Sequence, residues 1–200
     1  AEKAWREGKK VLFISTEMSA YRIGRRFDAI AGGIPYDPLR KAKLEAVLEN
    51  KYKNELQDLY KKYGPLKVYC PPRVKSIEDV ALLVEEEKPD ILFIDGVYVL
   101  IQKGNSQDKH HEKVEEAIKQ LKWIAEEKKI PVVINTQFNR EGGKNSAKQE
   151  SDMEHTAFSW SLPMYVDYMI GIFQSVDMRL NKTIMLKFLK LREADGAEMP

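Results

Sequence analysis

Val11-Leu12-Phe13-Ile14-Ser15-Thr16-Glu17 and Ile91-Leu92-Phe93-Ile94-Asp95-Gly96 are built alike: four apolar residues in a row, then a carboxylate within a few positions. Runs this short and this apolar read as strands buried on both faces of a parallel sheet. Lys67–Tyr69, Val132-Val133-Ile134, Tyr168–Phe173 and Thr183–Leu191 complete the strand pattern. Helical patterns lie between them. Ala1 to Lys10 reads as the last turns of a helix stopped at Gly8. Ser19 caps a helix whose apolar residues Ala20, Ile23, Phe27 and Ile30 share a face, ended by Gly32-Gly33. Arg40 to Tyr63 alternates Leu and Tyr with Lys and Glu as a surface helix, closed by Gly64-Pro65. Ser76-Ile77-Glu78-Asp79 has the capping-box spacing for a helix through Glu87. Val114, Ala117, Ile118, Leu121, Ile124 and Ala125 form one face of a further helix. Strands alternating with amphipathic helices define an α/β fold on a mostly parallel central sheet with right-handed crossovers.

Composition narrows the function classes. The chain has 200 residues, with 33 Lys+Arg against 31 Asp+Glu, so no global field announces a nucleic-acid partner. Any such contact must come from local basic loops. A single cysteine, Cys70, excludes an intrachain disulfide and a cysteine-built zinc site, and fits a reducing cytoplasm. No apolar run approaches the ~20 residues that span a bilayer, and no signal-peptide pattern opens the chain, so we expect a cytoplasmic protein with no membrane partner. His110-His111-Glu112 is not read as a metal site, because neighbouring helical residues point about 100° apart. Trp5, Trp123 and Trp160 are assigned to core or interface, and the Leu and Tyr stripe between Leu44 and Tyr63 to packing.

In a parallel sheet every strand delivers its C-terminal end to one rim, and open α/β sheets bind ligands outside that rim. Glu17, Asp95 and Gln137 each follow a predicted strand there. Taken singly, each has an ordinary role: a charge at a helix start, a turn former before Gly96, a loop amide. Three at one rim make a candidate site. An apolar strand running into Asp sets a carboxylate on a Mg²⁺-bound water beside nucleotide phosphates. A glutamate at the neighbouring strand end polarises attacking water while unprotonated, and an uncharged amide contacts a γ-phosphate and reports its loss to the next loop.

Taken in order, these segments resemble the replicative hexameric helicases of the DnaB type, within the RecA-like P-loop ATPases. Ser15-Thr16-Glu17-Met18-Ser19 resembles the family's Ser-x-Glu-Met-Ser strand end, and Ile91–Asp95 its Walker B strand, with Asp95-Gly96-Val97-Tyr98 similar to phage-type members. Leu121–Ala125, Ile130–Val133 and Gln137-Phe138-Asn139-Arg140 resemble its helix, strand and Gln-x-Asn-Arg; Lys190-Leu191-Arg192 resembles its Lys-x-Arg, and Asp167 fits the aspartate at the matching place. The resemblance implies a RecA-like three-layer sandwich that binds ATP and Mg²⁺. It implies Glu17 as catalytic base, Asp95 on the magnesium side, Gln137, Lys190 and Arg192 on the nucleotide, and Arg192 acting as a finger on a neighbouring subunit's ATP. It further implies a homo-hexameric ring on single-stranded DNA, with a primase or helicase loader as partner, in a bacterial or phage-infected cell.

The DNA contacts are expected in two polar loops. Lys103 to Lys109 supplies Lys103 and Lys109, with His110 and His111 beside them; Asn139 to Asp152 supplies Arg140, Lys144 and Lys148 among Gly, Asn and Ser. Such loops hold phosphates without reading bases. One departure stands out: no Gly-x-x-x-x-Gly-Lys-[Ser/Thr] occurs in residues 1–200. We therefore expect one RecA-like ATPase domain over 1–200, incomplete at its N-terminus, without its phosphate loop and upstream strand, and inactive as this stretch alone. The alternatives are a RecA-like recombination or signalling ATPase, and a catalytically silent DNA-binding or scaffold paralogue.

Overall fold

The structure is a computed structural model that describes residues 1–97, 100, 107–136 and 162–192. The chain divides into two compact units, Ala1–Gln102 with Trp123–Asn135, and Lys103–Lys122 with Thr136–Pro200.

The first unit is organised on four parallel strands, β1 (Val11–Ser15), β2 (Lys67–Tyr69), β3 (Ile91–Asp95) and β4 (Val132–Ile134), in the spatial order β2-β1-β3-β4. Leu12, Ile14, Leu92 and Ile94 on the two central strands are almost completely buried, which is why their segments tolerate no alternation with polar residues. Parallel strands need long crossovers, and these are helical here. They comprise α2 (Ala20–Ala31), α3 (Tyr36–Arg40) and α4 (Ala46–Tyr63) between β1 and β2, then α5 (Ile77–Glu87) between β2 and β3. The long helix α6 (Gln107–Lys128) precedes β4, and the boundary between the units falls within it.

Local sequence chemistry explains the helix ends. Ser76 Oγ accepts from Asp79 N–H while Asp79 returns a bond to the Ser76 amide, so α5 begins with the anticipated capping box. Ser19 is the N-cap of α2, but its hydroxyl makes no capping bond; its carbonyl accepts from the amides of Arg22 and Ile23 instead. The buried residues of α2 are Ile23, Phe27, Ala29 and Ala31; Ala20 and Ile30, expected on its buried face, are exposed. Trp5 of α1 (Glu2–Arg6) is 2% exposed and packs edge-on against Phe27, 5.0 Å between ring centres. Its indole N–H donates to the Gly64 carbonyl at 2.9 Å, tying the end of α4 to this core. Leu56, Leu59, Tyr60 and Tyr63 of α4 pack on the same cluster, so the stripe is packing surface as expected.

Two further expectations are corrected. The helix expected over Arg40–Tyr63 begins only at Ala46: α3 ends at Arg40, and the chain turns through Lys41–Glu45, where Ala42 has φ 52°. The polar loop expected to reach Lys109 ends earlier: α6 begins at Gln107, which places Lys109, His110 and His111 in its first turns. Of the tryptophans assigned to core or interface, Trp5 is core, Trp123 at 65% exposed is left with the interface alternative, and Trp160 lies outside the described residues.

The second unit contains β5 (Tyr168–Phe173) and β6 (Met185–Leu191), with α7 (Leu162–Tyr165) before them and α8 (Val176–Leu180) between them. These strands pair with each other, antiparallel, as a sheet of their own and not as further parallel strands. The short link through α8 explains the difference, since a parallel return needs a full crossover while a reversal does not. No helix among the described residues is long and apolar enough to cross a membrane.

Candidate active site

The site begins with strand register. β1 and β3 pair so that Ser15 lies opposite Asp95, and β3 and β4 pair so that Ile94 lies opposite Ile134, which brings Asn135 to the end of β3. Ser15 is completely buried and its hydroxyl donates to Asp95 Oδ2 at 2.7 Å, while the Met18 amide donates to the Ser15 oxygen at 3.1 Å. The Asn135 side-chain amide donates to Asp95 Oδ1 at 2.6 Å. Both carboxylate oxygens of Asp95 are thereby held by neutral donors.

The next residue fixes Glu17. Gly96 has φ 85°, a left-handed conformation that favours glycine. A Cβ there would stand 2.6 Å from Thr16 Oγ1 and 2.7 Å from Glu17 Cγ, so the Glu17 side chain lies directly over the Gly96 backbone. The Thr16 amide donates to the Asp95 carbonyl at 3.0 Å and its hydroxyl to the Gly96 carbonyl at 2.7 Å, locking the two strand ends together. Glu17 itself is exposed. Two of the three acids and amides expected at the rim are therefore neighbours there; the third, Gln137, lies outside the described residues.

Cys70 follows β2 and its thiol donates to the Met18 carbonyl at 3.2 Å. Burial pushes this thiol up; a backbone hydrogen bond from Ser15 opposes that and the Asp95 charge adds to it, and the net shift is upward, so little of it is thiolate.

The second unit holds a separate charged cluster. Asp167 stands immediately before β5, and Arg192 immediately after β6; the Arg192 amide donates to the Asp167 carbonyl at 3.0 Å and its guanidinium to Asp167 Oδ1 at 2.8 Å. Lys122 of α6 donates to Oδ2 at 2.6 Å. Hydrogen bonds from Lys122 and Arg192 hold the Asp167 carboxyl below the usual carboxylate range. Lys190 donates to the Pro163 carbonyl. Of the expected DNA contacts, Lys103, Arg140, Lys144 and Lys148 lie outside the described residues, and only the backbone of Lys109 is described.

Sequence reading missed Ser15, Asn135 and Lys122. The first two carried a signal: each is the polar residue level with or adjacent to Asp95 on a flanking strand. Lys122 carried none, because its partner is far along the chain.

Asp95 fits a magnesium ion in one particular way. Among the described residues no group of three or more His, Cys, Asp and Glu side chains converges to hold a metal unaided. Magnesium commonly takes one or two carboxylates and completes its shell with water and substrate phosphates, a role open to Asp95, whose charge no cation in the described site cancels.

The solved structures this chain resembles include one of an ATPase domain, with a TM-score of 0.81 at 15% identity over 96% of this chain and 70% of that one. They also include a DnaB-like replicative helicase, studied with its interactions with primase, with a TM-score of 0.80 at 16% identity. That match covers 96% of this chain and 48% of the other, so the chain spans about half its length. These likenesses establish the α/β, RecA-like ATPase fold. Curated protein sequences gave no match. The family model for the DnaB-like helicase C-terminal domain matches residues 1–157, and the chain belongs to that family.

Proposed function

We propose that this chain is part of the motor of a ring-forming DNA helicase, in which ATP hydrolysis between subunits moves single-stranded DNA. The observation that carries the reading is the contact at the rim, where the Glu17 side chain lies on Gly96 directly beside the tethered Asp95. A base and a magnesium-side carboxylate are the two acids that phosphoryl transfer to water requires near one triphosphate. Bound magnesium would neutralise charge on the phosphates. Glu17, exposed and reached by solvent, orients and deprotonates the attacking water; Asp95, fixed by Ser15 and Asn135, holds the magnesium side in place. Gln137 senses the γ-phosphate and passes its loss to the loop that follows, where Arg140, Lys144 and Lys148 hold DNA phosphates together with Lys103 and Lys109.

Arg192 belongs to a neighbour's site in this reading. At the end of β6 it is parked on Asp167, and it exchanges that carboxylate for a γ-phosphate oxygen of the adjacent subunit's ATP. An arginine acting in trans requires head-to-tail contacts that close into a ring, for which we propose six copies. The likeness to a helicase studied with primase supports a primase as partner.

The reading is tested by Glu17→Gln in the full-length protein. ATP binding is expected to stay within about twofold while turnover falls by about a hundredfold or more, the range for loss of a general base. Normal turnover in that variant removes Glu17 from the base role.

A further inference from the structure

Thr16 joins the two strand ends with a single hydroxyl. Its Oγ1 donates to the Gly96 carbonyl at 2.7 Å, with the Asp95 carbonyl at 3.2 Å as the longer alternative for the same proton, and its amide donates to the Asp95 carbonyl at 3.0 Å. The Gly96 amide is held from the other flanking strand, where it donates to the Asn135 side-chain oxygen at 2.7 Å. Gly96 is thus gripped at both its N–H and its C=O, and the orientation of its backbone is fixed from two sides.

That orientation matters because Gly96 is the surface on which Glu17 rests. A Cβ there would lie 2.7 Å from Glu17 Cγ and 3.3 Å from Glu17 Cδ, so the glutamate stem runs along the glycine up to its carboxyl carbon. An exposed glutamate samples several rotamers unless its surroundings limit them. Here the chain on either side of Glu17 is tied down. Thr16 is bonded to Asp95 and Gly96, and Met18 is held through its amide to Ser15 Oγ at 3.1 Å and through its carbonyl to the Cys70 thiol at 3.2 Å. Of these ties, only the Thr16 hydroxyl reaches the glycine on which the Glu17 side chain lies.

We propose that Thr16 is a positioning residue for Glu17: by fixing the Gly96 peptide, its hydroxyl sets where the Glu17 carboxylate stands relative to Asp95. The role needs one donor oxygen on Cβ, so serine fills it and alanine does not. The proposal rests on the motor reading for what Glu17 does to water, while the placement of Glu17 by Thr16 is independent of it.

Thr16→Ser and Thr16→Ala test it, because the two variants differ by one oxygen atom and neither adds charge or bulk. In the full-length enzyme Thr16→Ala is expected to lower kcat for ATP hydrolysis by about tenfold or more, as small misplacements of a catalytic group do, with KM for ATP within about twofold of wild type. Thr16→Ser should keep both constants within about threefold, since the donor remains. Equal losses in the two variants, or an unchanged kcat in Thr16→Ala, overturn the role of the hydroxyl, and a loss of about tenfold in Thr16→Ser overturns it alone. A double-mutant cycle with Glu17→Gln separates positioning from a general structural effect. With the base gone Thr16 has nothing to position, so Thr16→Ala in that background should cost less than about twofold more, and a full second loss of about tenfold overturns action through Glu17. A crystal structure of Thr16→Ala reads the placement without turnover: the Glu17 stem is expected to leave Gly96, and a stem unmoved over Gly96 overturns the proposal whatever the kinetics. The failure of the motor reading looks different, since normal turnover in Glu17→Gln alone removes the base and leaves the crystallographic result to decide the placement.

Discussion

Asp95 and Asp167 are both aspartates at strand ends with both carboxylate oxygens engaged, and they are held in opposite ways. Asp95 is bound by a serine hydroxyl and an asparagine amide, both neutral. Asp167 is bound by Lys122 and Arg192, both cationic. Neutral donors orient a carboxylate and leave its charge for an ion that arrives later; two cations on one carboxylate satisfy its charge in place. In the proposed reading, the same residue type in the same kind of place thus supplies a cation subsite in one unit and seats the arginine finger in the other. The partners, more than the aspartate, decide the role.

The sharpest test of that contrast removes each charge in turn. Asp95→Asn in the full-length enzyme should lower turnover about a thousandfold, the scale for losing electrostatic stabilisation of transferring phosphoryl oxygens. Its melting temperature should barely move, because an amide can still pair with Ser15 and accept from Asn135. Asp167→Asn should cost far less, with turnover down only about tenfold as Arg192 loses its seat and the melting temperature little changed, since an exposed pair contributes little. Steady-state ATPase and thermal melts on both variants read this out, and equal losses of turnover would break the comparison.

Gly96→Ala sharpens the Asp95 side of the contrast. A methyl at φ 85° is strained, by about 1–3 kcal/mol. It would also meet Thr16 Oγ1 at 2.6 Å and Glu17 Cγ at 2.7 Å. Glu17 must swing away, so turnover should fall about a hundredfold, as small misplacements of catalytic groups do, with ATP affinity within about twofold. A variant that melts lower yet hydrolyses ATP normally would mean that the Glu17 position over Gly96 is incidental.

Much of this was legible in the residues themselves. The bounds of β1, β3, β4 and α5 follow from apolar runs and from a capping box, which are local signals. The pairing of Glu17 with Asp95 followed from a topological rule, since parallel strands share a rim. What was not legible depended on contacts between distant segments. The antiparallel pairing of β5 and β6 was hidden because a strand's composition does not state its direction. Asn135 was passed over in favour of Gln137 because its value lies in register, and register is a property of two strands.

The smallest expected effect tests the Asp167 half of the comparison through protons. Hydrogen bonds from Lys122 and Arg192 hold the Asp167 carboxyl below its ordinary value of about 3.9. A group whose pKa is lower folded than unfolded contributes stability above its unfolded pKa and loses it as pH falls through the folded one. The difference in melting temperature between wild type and Asp167→Asn should therefore be constant from neutral pH down to about pH 5, then shrink towards zero below about pH 4, where the carboxyl gains its proton. Because Asp167 and Arg192 are 41% and 53% exposed, solvent screening keeps the whole difference within about 1 kcal/mol. Added salt should reduce it further, since exposed charges are screened over about 10 Å at 0.1 M. A difference that ignores both pH and salt would mean that Asp167 holds Arg192 only through its backbone carbonyl, and the electrostatic contrast with Asp95 would then rest on Asp95 alone.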